Sequence, residues 1–139
     1  MRFAILPLAV ILTMSLPASP LEPYEWENRL ILYRASDPYL KELQKIIEKN
    51  EEEIADRDLL FLRLGQTPDL PFHKPLSETD LILIEKRFGI VTDKSTALFV
   101  LLGKDGGEKS RQSGKLDIEQ WFDQIDSMPM RQREMRNND

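Results

Sequence analysis

The chain has no cysteine among its 139 residues and a single histidine, His73. Without a thiol there is no disulfide, no thiolate nucleophile and no thiol–disulfide exchange. The fold must therefore be held by a packed core, even in an oxidising compartment. One histidine excludes zinc sites of the Cys/His type and leaves Ser-His catalysis a single candidate base. That base lies among Pro68, Pro71 and Pro75 and reads as a solvated loop residue. Positive charge is also in deficit, with 19 Lys and Arg against 24 Asp and Glu and a formal charge of −5. An acidic body argues against nucleic-acid binding, which rests on neutralising phosphates. Long apolar runs are scarce too. The longest occupies residues 3–16, broken only by Pro7, Thr13 and Ser15, behind the positive charge of Arg2. A membrane span needs about 20 apolar residues, so this segment reads as a signal peptide over residues 1–18, cleaved after Ala18. The expected location is periplasmic or extracellular, with no stable membrane anchor after cleavage. Leu16 stands where a small residue is usual, which keeps a retained segment open as an alternative. Cleavage removes Arg2 and no acid, taking the charge from −5 to −6.

What remains is ordinary globular material, 41% hydrophobic and 31% charged, of a size that holds one core. Residues 29–33 (Arg-Leu-Ile-Leu-Tyr) form an apolar run without alternation, the mark of a buried parallel-type strand. Asp37-Pro38 then opens a helix, with Asp37 expected at the cap, Leu40, Leu43 and Ile47 on one face, and Glu48, Glu51, Glu52, Glu53 and Asp56 as a solvated acidic run. That run lacks the alternation and glycine of a calcium loop. A second strand is expected over residues 59–64, and a second helix after the Ser77-x-x-Asp80 signature, stopping at Gly89. Residues 97–102 are the most apolar stretch after the leader, and Asp105-Gly106 after them predicts a hairpin to a polar edge strand over 108–112. The last helix shows Ile118, Trp121, Phe122 and Ile125 at i, i+3, i+4 and i+7 behind Asp117. The order is β-α-β-α-β-β-α, an α/β three-layer sandwich with a central mixed sheet covered by helices on both faces. One core is expected to hold Ile118, Trp121 and Phe122 together with Leu98 and Val100. Trp26 is expected to cover the core or the sheet.

This element order resembles the thioredoxin and peroxiredoxin superfamily. The segments Leu102-Gly103-Lys104-Asp105-Gly106-Gly107-Glu108-Lys109 and Ile125-Asp126-Ser127-Met128-Pro129-Met130-Arg131-Gln132-Arg133-Glu134-Met135 resemble, more narrowly, a thioredoxin-like domain family of unknown function. Members of that family occur as small exported bacterial proteins, and related copies lie in sushi-repeat-containing extracellular proteins and in coiled-coil domain-containing protein 80. The resemblance implies a thioredoxin-like domain over residues 22–130, followed by a basic C-terminal tail over 131–139. It also carries a suggested peroxiredoxin-like role. In thioredoxins the reactive thiol sits where the first strand meets the first helix, because helix amides favour the thiolate. Here that junction reads Arg34-Ala35-Ser36-Asp37-Pro38, and no residue in it can exchange a disulfide.

Two constellations remain. Arg34, Ser36 and Asp37 can form a small polar mouth at the start of the first helix, with free amides for an anion or small ligand; the plainer reading is a capped helix. Met128 and Met130, with Arg131 and Arg133, form a candidate interaction segment. The thioethers of Met128, Met130 and Met135 suit Cu(I). With no cysteine and one histidine to complete such a site, they read as apolar filler, and no metal or cofactor is expected. The expected function is that of an exported, non-enzymatic binding or structural module, whose partner is another exported protein or a matrix component. A ligand site or non-thiol enzyme at the helix mouth is the alternative.

Overall fold

A computed structural model describes residues 19–65, 76–90 and 96–139. Residues 1–18, expected as a signal peptide, residues 66–75, which include His73, and residues 91–95 lie outside the described residues.

Four strands form one sheet in the order β2-β1-β3-β4. They are β1 (Arg29–Arg34), β2 (Leu59–Arg63), β3 (Leu98–Leu102) and β4 (Glu108–Ser113). β1 pairs parallel with β2, Ile31 against Phe61, and antiparallel with β3, Leu32 against Val100. β4 pairs antiparallel with β3 on the outer side. Its alternating exposed residues make it the polar edge the composition predicts. The turn between β3 and β4 needs glycine: Gly106 has φ +77, and a Cβ there would meet Glu25 Oε1 at 2.9 Å. Asp105 tightens the same turn by accepting from the Gly107 N–H at 3.0 Å.

Among the described residues the helices are α1 (Asp37–Lys49), α2 (Glu51–Asp56), α3 (Glu78–Phe88), α4 (Ile118–Asp126) and α5 (Pro129–Asn137). The expected first helix breaks at Asn50, whose side chain donates to Ile46 O at 2.7 Å and whose carbonyl begins α2 by accepting from Ile54 N–H at 2.9 Å. The caps follow the sequence at α3 and α4. Ser77 Oγ accepts from Asp80 N–H and Asp117 Oδ1 from Gln120 N–H, each at 3.1 Å. Gly89 closes α3 in the left-handed region at φ 60.

Side chains alternate across each strand, so the sheet has two cores. Ile31, Tyr33, Phe61, Phe99 and Leu101 face α1, α2 and α4, where Trp121, Phe122 and Ile125 are buried. Leu30, Leu32, Leu62, Val100 and Leu102 face α3 and a short 3-10 turn at Glu22–Tyr24, which buries Leu21 and Tyr24. Leu98 and Val100 thus do not share a core with Trp121. Along a strand the side chains change face at every residue, and it is Phe99 and Leu101 that meet α4. Trp26 is corrected as well: it is 63% exposed and covers nothing. Pro129 begins α5, and residues 131–137 lie in this helix with Arg131 buried. Among the described residues no helix is long and apolar enough to cross a membrane.

Candidate functional site

The predicted mouth lies where β1 runs into α1. Arg34 ends the strand, half-buried, and Ala35 turns the chain. Ser36, rather than Asp37, is the N-cap, and its side chain makes no cap hydrogen bond; its carbonyl accepts from Tyr39 N–H at 3.0 Å and Leu40 N–H at 3.1 Å. Asp37 is the first helical residue, and both Ser36 and Asp37 are exposed. A carboxylate in the first turn already complements the positive end of the helix, so an incoming anion would meet the Asp37 charge beside the free amides. Behind the mouth, Tyr33 lies against Phe61 and Phe99 with ring centroids 6.3 and 6.4 Å away. Burial pushes its phenol up to about 12, against the opposing pull of Arg63. It stays protonated at neutral pH. The mouth thus offers a hydroxyl, a carboxylate and a guanidinium from Ser36, Asp37 and Arg34. The shallow groove along α1, between Lys45, Lys49, Lys115 and Glu119, takes in neither Ser36 nor Asp37.

The densest chemistry lies at the opposite end of the sheet. Arg29, the first residue of β1, is 1% exposed, and its guanidinium donates to both oxygens of Glu134 at 3.0 and 3.2 Å. Lys104, just past β3, donates from Nζ to Glu134 Oε1 and to Asp58 Oδ2, each at 2.8 Å. Arg57 reaches Glu53 at 2.6 Å and Asp126 at 2.7 Å, with its guanidinium 4.4 Å from the Phe122 ring centroid. Arg131 pairs with Asp126 at 3.1 Å and with Asp56, and donates to Asp56 O at 2.8 Å. Four buried cations and five carboxylates therefore tie α2, β1, β3 and α4 to α5. Burial alone would raise the Asp126 and Glu134 carboxyls, but hydrogen bonds from the facing Arg and Lys side chains outweigh it and hold both below their usual range. Burial would likewise lower Lys104, and its bonds to Asp58 and Glu134 reverse the sign and raise it.

Sequence reasoning missed this network. Arg29, Arg57 and Lys104 were not singled out, and Glu53 and Asp56, read as a solvated run, are ion-pair partners. Of the predicted interaction segment, Arg131 is turned inward at 2% exposure and Met128 packs against the first core, which leaves Met130 half-buried and Arg133 exposed. The available signal was a charge at the start of an otherwise apolar run, Arg29, together with the charged positions of the two conspicuous motifs. Lys104 belongs to the first motif and Asp126, Arg131 and Glu134 to the second, and the fold brings these motifs together 2.8 Å apart at Lys104 and Glu134.

The profile of a domain of unknown function, DUF4174, matches residues 20–134, from the turn before β1 to the glutamate that closes the network. The chain belongs to the DUF4174 family. Among solved structures it is similar to the reduced 2-Cys peroxiredoxin of Plasmodium vivax, with 14% identity over 81% of this chain and 84% of that one and a TM-score of 0.59. It is also similar to thioredoxin peroxidase I of Plasmodium yoelii, with 13% identity, 81% and 79% coverage and a TM-score of 0.54. Identities this low show the fold alone. The chain thus has a thioredoxin-like α/β fold. No curated protein matches the chain.

Proposed function

We propose that the domain is an exported, non-enzymatic module that acts by binding another exported protein or a matrix component. One observation carries the reading: where the superfamily's chemistry needs a thiol, the chain presents Ser36 and Asp37, and it has no cysteine elsewhere. A serine without a neighbouring base is a poor nucleophile, and a carboxylate at the helix start takes the place a substrate anion would use. The proposal of export rests on the charge-then-apolar pattern of residues 1–18.

Two measurements test it. Purified chain should neither consume hydroperoxide nor reduce insulin above a heat-inactivated control, and reproducible turnover would overturn the non-enzymatic reading. Residues 1–20 fused to a reporter that is active only after translocation should give signal in a bacterial host. A silent fusion, alongside a working control leader, would overturn export.

A further inference from the structure

Trp26 stands in a position that a large apolar residue ordinarily avoids twice over. Its side chain is 63% exposed, and its backbone lies in the left-handed region at φ 68, uncommon for any residue with a Cβ and a marked outlier for a bulky one. The indole is not there for want of anchoring. The Trp26 N–H donates to Lys104 O at 2.7 Å, and the flanking amides of Glu25, Glu27 and Asn28 are tied to the 3-10 turn at 2.8 to 3.1 Å. Beneath them Leu21 and Tyr24 are buried. The turn is therefore a firm base that holds the ring out into water.

The side chains of the segment that carries the ring are acidic. Residues 19–28 contain Glu22, Glu25 and Glu27 and no Lys or Arg. Lys104 pairs with Asp58 and Glu134 and Lys109 with Asp105, while Arg87 donates to Ser19 Oγ and the carbonyl of Gly106. Among the described residues no ion pair reaches Glu25 or Glu27. An exposed aromatic face in an acidic segment complements a cation that also has a flat or aliphatic body, the chemistry of an arginine or lysine side chain. Tryptophan and arginine are the residue types that dominate binding energy at interfaces.

We propose that Trp26, with Glu25 and Glu27, is the docking site for a cationic segment of a protein partner, an Arg or Lys side chain lying on the indole with its charge shared by the flanking carboxylates. This rests on the reading of the domain as a binding module and names the chemistry of its partner. Failure here leaves that reading to be judged by the turnover assays above.

The test uses the purified chain and a fluorescently labelled oligo-arginine peptide at low salt, read by anisotropy and by tryptophan emission. Trp121 is fully buried, so a change in the red-shifted emission reports Trp26. Saturable binding is expected, weakened roughly tenfold by Trp26→Asn and by the pair Glu25→Gln and Glu27→Gln. Asparagine tolerates the left-handed backbone, so the turn survives without its ring. Substituting Glu51 and Glu52 by Gln removes as much charge at a distant exposed run and should leave binding unchanged. Equal weakening by both sets of substitutions would show general acidity and overturn the site. So would an unsaturable titration, a blue shift on raising the concentration of the chain alone, or preferential binding of Trp26 to phosphatidylcholine vesicles.

Discussion

Glu134→Ala is the sharpest test of what holds α5 and the start of β1 together. The Glu134 carboxylate accepts from Arg29 at 3.0 and 3.2 Å and from Lys104 at 2.8 Å. Truncation leaves Lys104 with Asp58 but leaves Arg29, 1% exposed, with only the carbonyl of Arg57 at 3.1 Å. Stripping one partner from a buried pair costs about 3 to 5 kcal/mol. The 23% exposure of Glu134 admits some water, which places the expected loss near the lower end, about 3 kcal/mol, a large share of a typical 5 to 15 kcal/mol. Urea unfolding at constant m-value measures it. Arg133→Ala, one residue earlier and exposed, is the control and should stay within about 0.5 kcal/mol. The combination of Arg29→Leu and Glu134→Leu should recover part of the loss, because no stranded guanidinium remains. A Glu134→Ala loss below about 1 kcal/mol, the scale of a surface ion pair, would refute the account.

Phe122→Ala should cost about 3 to 5 kcal/mol by opening a cavity in the first core, and calorimetry would also register the lost stacking of Arg57, 4.4 Å from the ring. Asp126 and Glu134 are held below their ordinary values of 3.8 and 4.5, so their contribution is complete above those values and is lost as pH falls through the lower folded ones. Melting temperature should therefore drop on acidification below about 4.5, and Glu134→Gln should flatten the drop. Lys104 is raised above its ordinary 10.5, so its share persists below that value and fades as pH climbs through the higher folded one, which Lys104→Met should abolish in an alkaline melting series. Gly106→Ala combines a φ of +77 with a Cβ 2.9 Å from Glu25 Oε1 and should destabilise the domain by about 1 kcal/mol or more in the same urea assay.

The elements were legible because their signals are local. Ser77 with Asp80, and Asp117 with Gln120, announce helix starts within one turn, and the apolar runs at β1 and β3 announce buried strands. What escaped depends on distance or on face. A run of unbroken apolar residues such as 97–102 carries no alternation, so nothing in it says that Phe99 and Leu101 look one way and Val100 the other. Arg29 and Glu134 lie 105 residues apart, and a periodicity scan treats each as a solvated charge. The break at Asn50 depends on a side chain capping its own helix, and Trp26 depends on a backbone torsion that composition does not show. Of the candidate site, Arg34, Ser36 and Asp37 adjoin in the sequence itself, whereas the inward turn of Arg131 depends on partners on α2 and α4.

The pairing of Arg29 with Glu134 also sets an order of events during synthesis. The first strand is made early and its counter-charge follows 105 residues later, so a chain still emerging from the ribosome lacks the carboxylate that Arg29 and Lys104 share until α5 has been made. Until α5 docks, the domain carries a stranded charge at the base of its sheet, and that docking lets it lock.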